Sequence, residues 1–438
     1  MELSRRNFLK TGTAMAAAPG IAKSTGANDR IQIGMIGVGA RAHEILPALM
    51  VHKDAEIVAV ADAYKGRIER AIQRTGGRAK AYKQYTDILA DKSIDAVFIA
   101  TPDHWHKQMV LDAIKAGKDV YCEKPLTYRT ADGVEVIRAA KEAGRIVQVG
   151  SQGMSSEVQR KAKQIIREGK LGQITMIRAA YNRNTASGAW IYPIPPDASP
   201  QTVDWDMFLG PAPRRQFSLE RFFRWRCYWD YSGGIATDLF VHLCTTIHFL
   251  MDAKVPSRAI ALAQLYRWKE SREVPDTING ALEYPEGFSV NLSGTFNNQS
   301  AAGENFQILG TEGSLAIGPS QLTFRPERAV EDNRWIVDSW AQAQEDAYYQ
   351  DPKVRASELR ETRPDSVIAD AQSYLQEGQE PTVAHTRHFL DSIRSRKPYW
   401  EDASAGHHAA ACAHMVNQSV KERRLIEWDF TKDDVKQA

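Results

Sequence analysis

Residues 31–42 read Ile31-Gln32-Ile33-Gly34-Met35-Ile36-Gly37-Val38-Gly39-Ala40-Arg41-Ala42. The first six are a short apolar run, the composition of a strand buried on both faces of a parallel sheet. Gly37 and Gly39 then open a Gly-x-Gly-x-x-Ala turn, with Ala42 where a third glycine usually stands. From His43 to Val51 the apolar residues Ile45, Leu46, Leu49 and Met50 recur at helical spacing. Pro47 is tolerated only near the start of such a helix. A glycine turn between strand and helix lets backbone N–H groups and the helix N-terminus meet a pyrophosphate, so Gly37, Gly39, Ala40 and Arg41 are read as cofactor-binding. The second strand, Glu56 to Ala61, ends at Asp62, 25 residues after Gly37. An acid there accepts hydrogen bonds from the ribose hydroxyls and repels a 2′-phosphate, which favours NAD. Lys65 and Arg67, close by, keep NADP open.

The alternation continues outward. Residues 95–100, 119–122 and 146–150 read as further buried strands, with helices fitting at 107–116 and 131–143. Residues 29–150 are therefore expected to form an α/β Rossmann domain, with ligand at the carboxyl ends of its strands. After Gly150 the pattern changes to a helix over 155–168, ending at Gly169, and strands near 174–178, 259–262, 289–292, 305–308 and 314–317. Clustered strands after a helix predict an α+β domain over 151–438 with a large open, mainly antiparallel sheet. Residues 326–375 are polar and charged, with helical patches, and are expected to wrap the surface.

Composition sets the outer bounds. The 438 residues are 43% hydrophobic and 25% charged, which excludes a disordered, collagen-like or coiled-coil chain. Fifty-six Lys and Arg against 54 Asp and Glu give a net charge of +2, which argues against nucleic acid as partner. The four cysteines form no Cys-x-x-Cys and no disulfide framework. No run of about 18 apolar residues is present to span a membrane. Residues 1–28 open with Ser4-Arg5-Arg6-Asn7-Phe8-Leu9-Lys10 and a small-residue stretch to Ala22, the pattern of a twin-arginine export signal. The expected location is outside the cytoplasm, periplasmic or extracellular, with the twin-arginine machinery as a partner. That route carries folded proteins, so a cofactor can be loaded beforehand.

Strand ends carry the candidate chemistry. Thr101-Pro102-Asp103-His104-Trp105-His106 follows one strand and Glu123-Lys124-Pro125 the next. His104 and His106 lack a nearby third ligand at metal spacing, so no metal site is expected. Lys124 sits at the ligand edge, held by a proline that is free to be cis. Residues 236–250 read as a helix with an apolar stripe of Leu239, Leu243, Ile247 and Leu250. Spacing of i and i+4 puts Asp238 and His242 on one face. Gly233 and Gly234 just before it are expected to let the chain approach the cofactor. In residues 221–231 six of eleven side chains are aromatic. Rings beside arginines suit a carbohydrate, with Arg224, Trp225 and Tyr228 as candidate contacts and Trp190 and Tyr192 as companions; packing between domains is the alternative. His385, His388, His407 and His408 are read as structural or surface residues.

Together these motifs resemble the Gfo/Idh/MocA oxidoreductases. The matching residues are Gly37–Arg41, Ala100-Thr101-Pro102 with His106, Glu123-Lys124-Pro125, Trp205–Pro211 and Gly233–His242. The resemblance covers nearly the whole chain after residue 30 and is not specific for a substrate. It implies that Lys124, Asp238 and His242 are catalytic, with Thr101, Pro102, His106, Glu123 and Lys124 at the cofactor. The chemistry would be hydride transfer from a carbinol carbon of a sugar, glycoside or cyclitol. His242 would be general base, since an unperturbed imidazole titrates near neutrality. Lys124 would stabilise the alkoxide, and Asp238 would orient the substrate or the imidazole. The alternative is a redox-neutral glycoside hydrolase that regenerates NAD in each turnover. Exported NAD-dependent glycosidases of the broader superfamily carry Tyr-Pro-Thr-His-Gly, where this chain has Ala236-Thr237-Asp238-Leu239-Phe240-Val241-His242. A sensor without turnover would have no need to retain Lys124, Asp238 and His242 together. An open sheet face leaves room for a homo-oligomer.

Overall fold

The computed structural model describes residues 30–300, 306–327, 333–357 and 371–437; the signal expected at 1–28 lies outside them. The quoted stretch forms β1 (Ile31–Ile36), the glycine turn and α1 (Ala40–Met50). The chain then alternates through β2 (Ala55–Ala61), α2 (Lys65–Arg74), β3 (Lys80–Ala81), α3 (Tyr85–Ala90), β4 (Ala96–Ile99), α4 (Asp103–Lys115), β5 (Asp119–Cys122), α5 (Asp132–Ala143) and β6 (Val147–Val149). All six strands are parallel, in the order β3-β2-β1-β4-β5-β6. The order reverses beside β1, where such sheets leave a crevice for ligand. Both faces are covered: Ile36, Val97 and Ile99 pack into one cluster, and Ile33, Met35 and Phe98 into another.

α1 begins three residues earlier than its apolar spacing implied, with the His43 N–H on the Gly39 carbonyl at 3.1 Å. Pro47 therefore lies well inside the helix. Proline cannot return an N–H to the carbonyl four residues back. That carbonyl, of His43, instead accepts from Arg74 Nη1 at 3.1 Å. β3 escaped the sequence reading because its two residues are both exposed and show no hydrophobic pattern.

α6 (Glu157–Arg167) leads into a ten-stranded sheet with β7 (Ile174–Asn182) at its middle. β8 (Arg258–Gln264), β9 (Thr277–Glu283), β10 (Ser289–Thr295), β11 (Phe306–Gly310), β12 (Gly313–Ile317), β13 (Gln321–Pro326), β14 (Gln372–Leu375), β15 (Ile426–Asp429) and β16 (Asp434–Val435) complete it. The order is β14-β13-β12-β11-β7-β10-β9-β8-β15-β16, antiparallel except between β7 and β10. Along β9 buried and exposed residues alternate, the mark of a sheet with one covered face. That face packs on α7 (Val241–Met251) and α9 (Ala403–Glu422). The segment expected only to wrap the surface contributes β14 to the sheet edge. α8 (Pro381–Ser395) returns to the first sheet, where Phe389 meets Phe98 and Tyr121 edge-on at 5.2 and 5.8 Å.

Burial holds several imidazoles neutral. His248 and His385 are pushed down to about 3, and His104 and His414 to about 4, in each case by loss of water. An unfolded histidine titrates near 6.5. Between those values the unfolded chain binds more protons, so stability is lost as pH falls. Burial raises the carboxyls of Asp103 and Glu401 and acts in the opposite sense, but the histidines outnumber them. The expected outcome is a melting temperature that declines steadily from pH 7 to pH 4 in a fluorimetric series. A flat profile across that window would contradict the burial of neutral imidazoles.

Candidate active site

Gly37 closes the turn after β1 in the left-handed region, φ +79°. A Cβ there would lie 2.9 Å from the Ala100 carbonyl and from Thr101 Cγ2, so only glycine fits where β1 and β4 converge. Gly39 and Ala40 begin α1, whose first N–H groups have no helical partner, and no cap side chain occupies them. This cradle of backbone donors fits a dinucleotide pyrophosphate. Asp62, at the end of β2, accepts from the Val38 N–H at 2.8 Å and the Tyr64 N–H at 2.9 Å, so it also shapes the glycine turn. Arg67 lies 3.7 Å from Asp62 and covers the rings of Phe222 and Phe223 at 5.3 and 5.2 Å.

Beyond β5 the two charged residues part company. Glu123 accepts from Arg41 Nε at 2.8 Å, while Arg41 also reaches Glu44 at 2.8 Å and Gln152 at 2.9 Å. Lys124, followed by a cis bond to Pro125, reaches the other way. Its Nζ donates to Asp238 Oδ1 at 2.8 Å and to the Asp238 carbonyl at 2.9 Å. Arg226 Nε donates to the same Oδ1 at 2.9 Å. Burial alone would raise this carboxyl, but the Lys124 ammonium and the Arg226 guanidinium hold it well below the usual carboxylate range.

Asp238 lies in one turn of π-helix, Ala236–Phe240, that precedes α7. That turn departs from the plain helix expected there. Asp238 accepts hydrogen bonds from Lys124 and Arg226, and its charge also acts on His242. His242 does not titrate near neutrality: burial first, then the Lys124 cation, push it down to about 3. Thr237, in the same turn, accepts from the Gly233 N–H at 3.0 Å and faces Asp103 at 3.3 Å. Gly233 and Gly234 do not approach the cofactor edge. They are buried against Thr237, Asn417 and Val274, with no room for a Cβ.

These groups meet in a cavity of about 370 Å³ between the two sheets. Of the residues singled out above, Gly37, Gly39, Ala40, Arg41, Asp62, Thr101, Pro102, Glu123, Lys124, Trp225, Asp238 and His242 line it, together with Trp190 and Tyr192. Three do not. His106 is buried, with its ring nitrogens 2.6 Å from the Pro125 carbonyl and 2.9 Å from the Thr101 carbonyl, and so joins two of the loops. Arg224 donates to the Tyr192 carbonyl at 2.9 Å and to Glu220 at 2.6 Å. Tyr228 is buried under Arg221, whose guanidinium is 4.2 Å from the ring centre. Arg67, noted beside Asp62, lines it too, and Gln152, Tyr181, Arg183 and Arg226 also line the cavity and were not anticipated. For Arg226 the cue lay inside the aromatic segment; for Tyr181 and Arg183 it was strand alternation at the end of β7. Elsewhere His407 and His408 face Asp433, their donor atoms within 4.8 Å of one another.

A six-stranded dinucleotide-binding sheet that carries a lysine at its ligand edge, closed by a second domain that brings a carboxylate and an imidazole to the same cavity, defines an NAD(P)-dependent oxidoreductase. Residues 31–151 match the oxidoreductase family with an NAD-binding Rossmann fold, and 159–316 match the GFO/IDH/MocA C-terminal domain. The chain belongs to the Gfo/Idh/MocA family. Residues 2–22 match the twin-arginine translocation signal, which indicates export. An uncharacterized oxidoreductase of Rhizobium meliloti is 30% identical over 290 residues, 66% of this chain and 75% of that one. The 1,5-anhydro-D-fructose reductase of Ensifer adhaerens is 26% identical over 68% of this chain and 78% of its own length. Inositol 2-dehydrogenase of Salmonella typhimurium is 33% identical over 158 residues, and the chain spans 47% of that enzyme. Among solved structures, levoglucosan dehydrogenase in complex with NADH and levoglucosan superposes with a TM-score of 0.65 at 18% identity, over 91% of this chain and 99% of that one, a likeness of fold.

Removing one member of a buried ion cluster strands the others without a counter-charge. Asp238→Ala leaves Lys124 and Arg226 unpaired and is expected to cost about 3–5 kcal/mol in denaturant unfolding. A loss below about 1 kcal/mol, the range of exposed pairs, would mean that this cluster does not hold the two sheets together.

Proposed function

We propose that the exported protein transfers a hydride from a carbinol carbon of a sugar, glycoside or cyclitol to a tightly held nicotinamide dinucleotide. The observation that carries this reading is the Lys124 ammonium. Two of its three N–H groups are committed to Asp238, and it lines the same cavity as His242 and the glycine cradle. Its third N–H is left for a substrate oxygen.

Lys124 would donate to the substrate hydroxyl and stabilise the negative charge as the oxygen loses its proton. The His242 imidazole is neutral, the form that accepts a proton, and would take it from that oxygen. The C–H bond would break with its electron pair, the C–O bond would become a carbonyl, and the proton would rest on His242. The chemistry a bound nicotinamide would supply is an acceptor for the hydride. Asp238 is the group that aims Lys124 and Arg226. Tyr192 and Trp225 line the cavity and would stack on the C–H face of a sugar ring, while Arg224 steadies Tyr192 from behind; Trp190 is buried, with Arg272 over its ring.

Lys124→Met and His242→Ala are expected to lose at least a hundredfold in turnover while keeping nucleotide affinity, read by quenching of intrinsic fluorescence. In the wild type, kcat/KM is expected to show no inflection near pH 6.5 from His242. An inflection there that vanishes in His242→Ala would reverse the assignment of a depressed imidazole.

Export supports a second reading, the redox-neutral glycoside hydrolase, because an enzyme that consumes NAD outside the cytoplasm would stall. Denaturing the purified exported protein and weighing the released nucleotide is expected to give close to one NAD per chain. An empty protein would contradict a held cofactor. Product analysis then separates a keto sugar from a cleaved glycoside.

A further inference from the structure

The charges along the cavity are not evenly balanced. At the glycine turn Arg41 faces Glu123 and Glu44, and Arg67 stands beside Asp62. Along the rest of the wall three cations, Lys124, Arg183 and Arg226, share two carboxylates, Asp103 and Asp238, and His242 feels the charges of Lys124, Asp238, Arg41 and Arg183. Asp238 is already shared by Lys124 and Arg226. Asp103 is buried and its carboxyl is pushed up by loss of water, which weakens it as a counter-ion. Arg183 is thus the cation without an anion. Among the described residues none of its nitrogens lies within 4 Å of a carboxylate, and its one side-chain hydrogen bond is from Nη1 to the Gly188 carbonyl at 3.2 Å. It follows β7 directly, two residues after Tyr181, so strand alternation sends both side chains to the same side. Both line the cavity.

We infer that the substrate of this site carries an oxyanion group, a carboxylate or a phosphate ester on the sugar, and that Arg183 binds it. The inference rests on the oxidoreductase reading of the same cavity. A guanidinium presents five donors in a planar fork that matches a carboxylate or phosphate with two parallel hydrogen bonds. Arg183 is half-buried in the cavity wall, where a charge attracts a counter-ion more strongly than it would in open water, and a ligand that supplies the counter-charge gains that energy on binding. The cofactor strengthens the argument, because an oxidised nicotinamide ring adds a further positive charge to this end. A bound anion also offsets the cations that, with burial, hold His242 low, and so makes the imidazole a better base in the ternary complex.

The test is calorimetric titration of the NADH-loaded protein, in which turnover cannot begin. The probes are D-glucose, D-glucuronate and D-glucose 6-phosphate, with the matching D-galactose, D-galacturonate and D-galactose 6-phosphate. At least one anionic sugar is expected to bind tenfold or more tighter than its neutral parent. Which of the two anions wins tells carboxylate from phosphate. Arg183→Gln is expected to bring that ratio near one, and Arg183→Lys to keep part of it, with NADH affinity unchanged in both. Neutral parents that bind as tightly as the anionic sugars, or an anionic preference that survives Arg183→Gln, would overturn the proposal. The NAD-loaded protein, followed at 340 nm, separates the two layers. A neutral sugar that reduces NAD better than any anionic one keeps the oxidoreductase and removes the anion site. An anionic sugar that binds through Arg183, with no sugar of the panel reducing NAD, upholds the anion site and removes the proposed oxidation of these sugars.

Discussion

Everything at the site hangs on one buried salt bridge, Lys124 to Asp238. Lys124 ends β5 in the first sheet, and Asp238 sits in the turn that precedes α7 against the second. Taking two charges out of water costs several kcal/mol per ion, of order, and close partners must return it. Here the carboxylate takes two cations at once, Lys124 and Arg226, and Lys124 adds a bond to the Asp238 carbonyl. The cavity walls are therefore fixed where those charges are satisfied. Moving either sheet by a few ångströms would leave a buried ion without its partner.

The same cluster sets the chemistry of its neighbours. A protonated imidazole beside Lys124 would add a like charge in a dry site, so His242 stays neutral. The nucleotide end is electrically different. There the ions are paired among themselves and the backbone does the binding, from a turn that glycine alone can make. Asp62 holds that turn through the Val38 N–H and the start of the next helix through the Tyr64 N–H. His106 holds the next two loops to each other through their carbonyls. The cavity thus runs from an end where carboxylates outnumber cations to one where cations outnumber carboxylates.

Much of this was legible where the code is local. β1, the glycine turn and Asp62 announce themselves because strand composition, turn chemistry and spacing fall within about thirty residues of one another. The α+β half was legible from its strands, though β14 was not, because its exposed edge position carries no hydrophobic pattern. Pro47 seemed to forbid an early helix start. A guanidinium from α2 donates to the orphaned carbonyl, and no local rule reveals that. Gly233 and Gly234 looked like a cofactor approach and turned out to be a tight seam against Asn417 on α9, a residue 184 positions away.

The sequence by itself determined the class of protein: a dinucleotide-binding parallel sheet, a second sheet after it, an export signal, and a lysine, an aspartate and a histidine at the right ends of their elements. Those are properties of single segments, written in periodicity, glycine placement and motif. Only the tertiary structure decided which groups face one another. It gave Asp238 two cationic partners, Lys124 and Arg226, took His106, Arg224 and Tyr228 out of the cavity wall, and left Arg183 in that wall without a counter-ion. The physical reason is that charge balance and burial are sums over everything nearby in space. Residues 124, 183, 226 and 238 become neighbours only once both sheets have closed around the same cavity.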